Sequence, residues 1–327
     1  MENNLYYYIA DTTDPYLNIA REEHFLLGVP LHAVILYLWQ NEKTVVIGRN
    51  QCAWRECRVE ELKQDGGHLA RRLSGGGAVY HDLGNLNFTF LYPQKSEDIA
   101  KQTAVVADAV ASFGLQPKVS GRNDITIDGR KFSGNAYYAQ GDRAYHHGTI
   151  MLNVDPEPLS RYLNVHRDKY RSKGVDSVRS RVVNLQTLCA NITVENMKKS
   201  LIDAFARRFG DEAQPLPASW IEEKTLERRR QRFAGWDWIY GRPIACTWQG
   251  EQRFDWGLLR AELSVDKGVI TDCGLYTDAM RIDIFRTLEE QLIGMPFERE
   301  PIRMVVQRTV AGDQYGQDCL TLLNDAF

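Results

Sequence analysis

Apolar positions recur along this chain at two periods, two and about 3.6 residues, and the places where one gives way to the other mark its elements. LYYYIA at 5–10 reads as a strand. DPYLNIAREEHFLLG at 14–28 then carries apolar residues at helical spacing, with Asp14 as N-cap, Pro15 at the first helical position and Gly28 as the stop. AVILYLWQ and TVVIGRN flank the polar turn NEKT and predict an antiparallel hairpin, whose sheet LARRLSGGGAVYH and LNFTFLY extend. A helix over 97–113 ends at Gly114, and 118–154 alternates around the turns IDGR and QGDR, predicting two or three further antiparallel strands. Helices near 156–164 and 193–209 follow, then a loop at 211–219 and a solvated helical face, LERRRQRF. From about residue 250 the pattern restarts with short strands in QRFDWGLLRAELSVDKGVITDCGLY, followed by the helical DAMRIDIFRTLEEQLIGM.

Strands and helices without strict βαβ alternation predict an α+β protein, with a mostly antiparallel sheet flanked by helices and a smaller α+β C-terminal domain. At 327 residues the chain exceeds the size at which single cores stop growing, so two domains are expected, 1–246 and 250–327. A hydrophobic fraction of 43%, a charged fraction of 25% and a net charge of −3 describe an ordinary globular protein and point to no nucleic-acid partner. The longest apolar runs fall short of the roughly 20 residues that span a membrane. Six cysteines without CxxC spacing, and no opening signal segment, suggest a reduced, cytoplasmic protein.

RRLSGGGAVYHDLGN, residues 71–85, concentrates the candidate chemistry. Gly75, Gly76 and Gly77 fit either a backbone nest facing an anion or a tight turn. The chain has no GxxxxGK[ST] and no GxGxxG. Arg71 and Arg72 point to opposite faces of a strand; if Arg72, in phase with Ser74, faces a ligand, Arg71 is expected at the surface. His81 with Asp82 supplies too few ligands for a metal. A second cluster, GRNDITIDGRKFSGNA at 121–136, holds Asn123, Asp124, Lys131, Ser133 and Gly134; Lys131 is either a fixed cation or a surface lysine, and Asp124 either a Mg²⁺ ligand or an ion-pair partner. His146 and His147 must face opposite ways. SKGVDSVRSRVVN at 172–184 is either a mobile phosphate-covering loop or plain solvated chain.

Five segments in order, TVVIGRNQ, RRLSGGGAVYHDLGNLNFTF, GRNDITIDGRKFSG, HHGTIMLN and GVDSVRSRVVNL, resemble the successive signatures of the lipoate-protein ligases. The resemblance implies a fold shared with biotin protein ligases and class II aminoacyl-tRNA synthetases. It also implies a two-step reaction: lipoate and MgATP give lipoyl-adenylate, and the lipoyl group passes to a lysine of a carrier domain. The implied acceptors are lipoyl domains of 2-oxoacid dehydrogenase complexes and the H protein of glycine cleavage, and the enzyme is expected to act as a monomer.

By the same resemblance Lys131 is the catalytic cation. Trp39, Arg72, Ser74, Gly75, Gly76, Gly77, His81, Asn85 and His147 line the lipoate site. Val79, Tyr80, Asn123, Asp124, Ser133, Gly134, Ala136, Ser177, Val178 and Arg179 bind the nucleotide, with Asp124 the implied Mg²⁺ ligand. An octanoyltransferase on the same scaffold needs a cysteine thiolate, and no cysteine falls in these core motifs. A non-catalytic lipoate-binding module would not need the complete nucleotide segment.

Overall fold

The computed structural model describes residues 4–120, 124–163, 182–241, 247–280, 283–310 and 312–324. The chain forms two compact units. The first contains Met1–Val46, Cys57–Ala70 and Val79–Ile239; the second contains Ile47–Glu56, Arg71–Ala78 and Tyr240–Phe327. Two short segments that precede residue 80 therefore belong with the C-terminal part of the chain.

An eight-stranded sheet dominates the first unit, with strands β1 (Asn4–Ile9), β2 (Ala33–Trp39), β6 (Asn85–Pro93), β7 (Lys118–Ser120), β8 (Asp124–Ile127), β9 (Arg130–Gln140), β10 (Arg143–Met151) and β11 (Ala213–Pro215) in the order β11-β1-β2-β6-β10-β9-β8-β7. From β2 to β7 neighbouring strands are antiparallel, whereas β1 runs parallel to both β2 and β11. Helix α1 (Pro15–Gly28) makes the crossover between β1 and β2, capped as expected by Asp14, which accepts from the backbone N–H of Tyr16 and Leu17. The mixed α+β class holds.

The expected hairpin of AVILYLWQ with TVVIGRN does not form. β3 (Thr44–Ile47) pairs instead in a separate sheet, ordered β4 (His68–Arg71), β3, β5 (Val79–His81). The cause is burial: every residue of β2 is buried, so this strand sits inside the large sheet between β1 and β6 and has no edge left for β3. The run at 211–219 also departs from a plain loop by supplying β11, which pairs with β1.

One face of the large sheet carries Leu36, Leu38, Phe88, Phe90, Ala144 and Ile150 into a core shared with the helices Ile99–Ala111 and Val194–Phe209. On the other face lies α1. Helix Glu223–Ala234, read as a solvated face, in fact packs on α1: Arg229 and Arg232 each reach Glu23 Oε2 at 2.7 Å and Arg230 reaches Asp14 Oδ2 at 2.7 Å. Its arginines thus hold in place the helix that covers the second face.

The second unit contains the expected strands β12 (Trp248–Phe254), β13 (Gly257–Asp266) and β14 (Val269–Thr277), an antiparallel sheet whose last hairpin turns at Lys267 and Gly268, both with positive φ. Three helices, Asp283–Leu292, Arg299–Thr309 and Gln314–Asn324, pack with it. No described helix is long and apolar enough to cross a membrane.

Candidate functional site

The α1 face of the large sheet is buried and yet partly polar. Register places Trp39 opposite Asn87, and Tyr37, Thr89, His147 and Ala136 in one row across four strands. The segment NLNFTF explains the split: its even residues, Leu86, Phe88 and Phe90, fill the core, and its odd ones, Asn85, Asn87 and Thr89, are at most 2% exposed on the other face. Burying polar groups is costly, about 1–3 kcal/mol for each atom left without a partner. On this face, among the described residues, Glu22 Oε2 and Asn87 Nδ2 are buried without one.

Lys131 reaches this face through a break in register. Asp124 and Ile125 pair with Gly134 and Ser133, but Thr126 pairs with Lys131, so β9 carries one extra residue. This β-bulge reverses the alternation: Phe132 turns into the core, while Lys131 joins Gly134 and Ala136 on the α1 side. Lys131 Nζ lies 2.7 Å from Asp124 Oδ1, and both side chains are roughly half exposed, at 40% and 43%. A Cβ on Gly134 would fall 2.8 Å from that ammonium, so the missing side chain is what makes room for the cation. Gly134 N–H in turn donates to Thr149 Oγ1 at 3.3 Å. Val183 N–H donates to the Lys131 carbonyl at 2.9 Å.

His146 and His147 point to opposite faces, as the alternation requires. His146 lies in the core between two side-chain amides, with its Nδ1 3.0 Å from that of Gln102 and its Nε2 2.9 Å from that of Asn135, and burial, with a smaller push from His147, lowers its pKa to about 3. It is neutral at physiological pH. His147, on the α1 face, meets Glu22 Oε1 at 2.8 Å, with Glu22 wholly buried. His81 stands edge-on to Trp39, ring centroids 6.1 Å apart, with Asn41 Nδ2 at 3.2 Å from its Nδ1. Asn85 donates to Asn87 Oδ1 at 2.9 Å. Tyr80 and Val79 lie on β5 in the smaller sheet; burial raises the Tyr80 pKa to about 12, and its ring packs against Tyr162.

The glycine turn, in the second unit, is organised by its own chain. Arg72 donates to the Gly75 and Gly77 carbonyls at 2.7 and 2.8 Å and to Ser74 Oγ at 3.1 Å. Gly76, at φ 90°, donates its N–H to Ala279 O at 3.0 Å. A Cβ on Gly75 would sit 2.2 Å from Ala279 O, whereas one on Gly77 would meet no described residue within 4 Å. Arg71 is not at the surface: it is 6% exposed and donates to the carbonyls of Gly48, Arg49 and Gln51 at 3.1, 2.9 and 2.6 Å. Three backbone acceptors in one place need a cation with several donors, which draws Arg71 inward, and burial lowers its pKa to about 10.

Of the sequence-derived positions, Trp39, Asn85, Lys131, Asp124, Gly134, Ala136 and His147 share the α1 face or its border on β8 and β9, and His81 adjoins Trp39. Ser133 is buried beside the bulge. Arg72, Ser74 and Gly75–Gly77 fall in the other unit. Asn123, Ser177, Val178 and Arg179 lie outside the described residues. Sequence reading passed over Glu22, Asn87, Thr89 and Thr149. The signal was present, as polar side chains on the alternate positions of NLNFTF and as a carboxylate in the buried phase of α1.

Residues 14–206 match the family described as lipoyl protein ligase A/B catalytic domain, and residues 244–321 match the bacterial lipoate protein ligase C-terminus. The lipoate-protein ligase A of Psychrobacter cryohalolentis is 36% identical over 299 residues, covering 89% of this chain and 88% of that one. Among solved structures, Plasmodium falciparum LipL1 in complex with lipoate superposes with a TM-score of 0.84 at 26% identity, covering 97% of this chain and 98% of that one. A bipartite Thermoplasma acidophilum lipoate protein ligase, solved with its E2 lipoyl domain, superposes with a TM-score of 0.65 at 25% identity, covering 75% of this chain and 99% of that one.

Proposed function

The chain belongs to the lipoyl protein ligase A/B family, and on that premise we propose that it is a lipoate-protein ligase. It uses ATP to convert lipoate to lipoyl-adenylate and passes the lipoyl group to a lysine of a lipoyl domain. The acceptors we propose are lipoyl domains of 2-oxoacid dehydrogenase complexes and the glycine cleavage H protein, met by a monomeric enzyme in the cytoplasm.

The observation that carries this reading is the β-bulge that brings Lys131 onto a buried polar face beside a bare glycine backbone. In the first step a carboxylate oxygen attacks the α-phosphorus of ATP and pyrophosphate leaves. Both reactants are anionic, so a fixed ammonium offsets their repulsion and the charge that builds at transfer. Lys131 is exposed enough to exchange Asp124 for a phosphate or carboxylate oxygen. In the second step a neutral lysine amine of the acceptor attacks the acyl carbon, and AMP leaves.

Mg²⁺ enters as the nucleotide complex. The described residues hold no group of three or more metal-ligating side chains, but Mg²⁺ commonly takes only one or two carboxylates plus phosphate oxygens. Asp124 fits as that single carboxylate. An octanoyltransferase would need a thiolate, and no cysteine lies on α1, β2, β6, β9 or β10, the elements of the site face.

Incubating the protein with apo lipoyl domain, ATP and lipoate should raise the acceptor mass by one lipoyl group; an unmodified acceptor rejects the reading. Lys131→Ala should lower lipoate-dependent pyrophosphate exchange on the order of 10³-fold, while leaving the melting temperature near that of the wild type because the side chain is roughly half exposed. Near-normal exchange in that variant would show that the cation has been misassigned.

A further inference from the structure

Helix α1 carries two wholly buried polar side chains one turn apart, Asn18 and Glu22; Asn18 reaches His81 through Asn41, and Glu22 meets His147 directly while also receiving a chain of hydrogen bonds from Trp39. The chemistry of the groups fixes the direction of every bond in both chains.

The Asn18 chain begins at two backbone carbonyls. Asn18 Nδ2 lies 2.8 Å from Gln40 O and 3.2 Å from Thr12 O, and since carbonyls only accept, this atom is the amide nitrogen. Its Oδ1 correspondingly accepts from the Tyr37 hydroxyl at 2.9 Å. The two Nδ2 protons serve the two shorter contacts, Gln40 O and Asn41 Oδ1 at 3.1 Å, with Thr12 O as a shared, weaker acceptor, and this turns Asn41 Nδ2 toward His81 Nδ1 at 3.2 Å. A ring nitrogen that receives an N–H bears no proton, so the His81 proton resides on Nε2.

Polarity is opposite in the Glu22 chain. The Trp39 indole N–H, which can only donate, meets Thr89 Oγ1 at 3.0 Å; the Thr89 hydroxyl then donates to Glu22 Oε1 at 2.7 Å. His147 Nδ1 meets the same Oε1 at 2.8 Å. A carboxylate only accepts, so His147 donates from Nδ1, and in the neutral ring its lone pair is then on Nε2.

We propose that Asn18, acting through Asn41, and Glu22 are positioning residues that lock the two histidines in opposite tautomers, His81 as an Nε2–H donor and His147 as an Nε2 acceptor, for the acyl substrate. The tautomers follow from geometry alone; that the substrate is lipoate rests on the ligase reading. A donor suits a carboxylate or acyl oxygen, and an acceptor suits an N–H, O–H or S–H group or an ordered water. If both rings took the same tautomer, one of these capacities would be lost.

Nitrogen-15 spectra of histidine-labelled full-length protein at pH 8 read the tautomers directly, with His81→Gln and His147→Gln used only to assign the signals. The expected result is Nε2–H for His81 and Nδ1–H for His147. Asn41→Asp keeps the size of the side chain but places an acceptor opposite His81 Nδ1, so it should move the proton to Nδ1 and raise KM for lipoate about tenfold, with His147 unchanged. Glu22→Gln retains an acceptor oxygen and should keep the His147 pattern; Glu22→Leu should lose it and raise KM by a similar factor.

Identical tautomers in the wild-type protein overturn the proposal, and so does an Asn41→Asp spectrum in which His81 is unchanged. Variants that lower only the melting temperature, without moving ring signals or KM, would mark these residues as merely structural and likewise overturn it. Because the spectra need no substrate, a wild-type protein with the expected tautomers but no lipoylation would reject the ligase reading and leave the tautomer assignment standing.

Discussion

The α1 face of the first unit and the glycine turn of the second both withdraw polar groups from water, by opposite means. On the sheet face the polar atoms belong to side chains, and two of them, on Glu22 and Asn87, find no partner among the described residues. In the glycine turn they belong to the backbone, and the chain supplies partners: Arg71 serves three carbonyls, Arg72 serves two, and Ala279 receives Gly76. A conspicuous run of glycines therefore reflects self-packing to a large extent. Incomplete bonding on an otherwise buried face is the stronger sign of a place for a ligand.

Substituting glycines in the two regions separates these roles. The largest effect is expected from Gly75→Ala. Its Cβ would lie 2.2 Å from Ala279 O and 2.8 Å from Met280 O, backbone atoms that cannot swing aside. Urea unfolding should show a loss of more than about 3 kcal/mol in the second unit; a variant with unchanged stability would mean that this close approach is absent in solution.

Next in size is a pH contrast. His146, in the first unit, has its pKa lowered by burial to about 3 from an ordinary 6.5; the unfolded chain gains a proton that the folded one refuses, so stability falls as pH drops below 6.5. Glu289, in the second unit, has its pKa raised by burial to about 7 from 4.5; here the folded state holds the extra proton, so stability falls as pH rises from 4.5 through 7. Between pH 4 and 8 each contribution is on the order of 3 kcal/mol. Glu289→Gln, which keeps an acceptor for the Leu275 N–H, should flatten the alkaline loss only. His146→Gln should flatten the acid loss only, as two-probe denaturation between pH 4 and 8 would reveal.

Much of the framework was legible from local rules. Asp14 and Pro15 announced the start of α1, and IDGR announced the hairpin at Asp128 and Gly129, both of which adopt positive φ. What escaped depended on more than one strand. The β2–β3 hairpin failed because pairing partners are chosen by where a wholly buried strand can be covered, which no single segment records. The face of Lys131 depended on an extra residue at Phe132, a property of register; strict alternation would have sent the lysine into the core. Arg71 was misplaced for a related reason, since the carbonyls that draw it inward lie some twenty residues earlier in the chain.

Gly134→Ala addresses the bulge with a smaller effect on stability. The new Cβ would lie 2.8 Å from Lys131 Nζ, but that atom ends a flexible side chain and can move. Unfolding free energy should change by less than about 1 kcal/mol, while displacement of the cation should slow pyrophosphate exchange about 10- to 100-fold. A variant with full activity would show that the ammonium works from another position.

Gly77→Ala is the smallest perturbation and the sharpest. Of the three successive glycines it alone lacks a reason among the described residues: Gly75 is pressed against Ala279 and Met280, Gly76 needs φ 90° and room for Arg72, but a Cβ on Gly77 meets no described residue within 4 Å. Stability should stay within about 0.5 kcal/mol of wild type. We propose Gly77, on the resemblance to lipoate-protein ligases, as a lipoate-contacting position, and a methyl group there should then raise KM for lipoate while the fold is untouched. If neither stability nor KM moves, the third glycine serves neither packing nor ligand, and the turn must be read as a structural element whose partners are Arg71 and Arg72. If only KM moves, the same substitution shows that a backbone otherwise closed on itself keeps one bare position for a substrate.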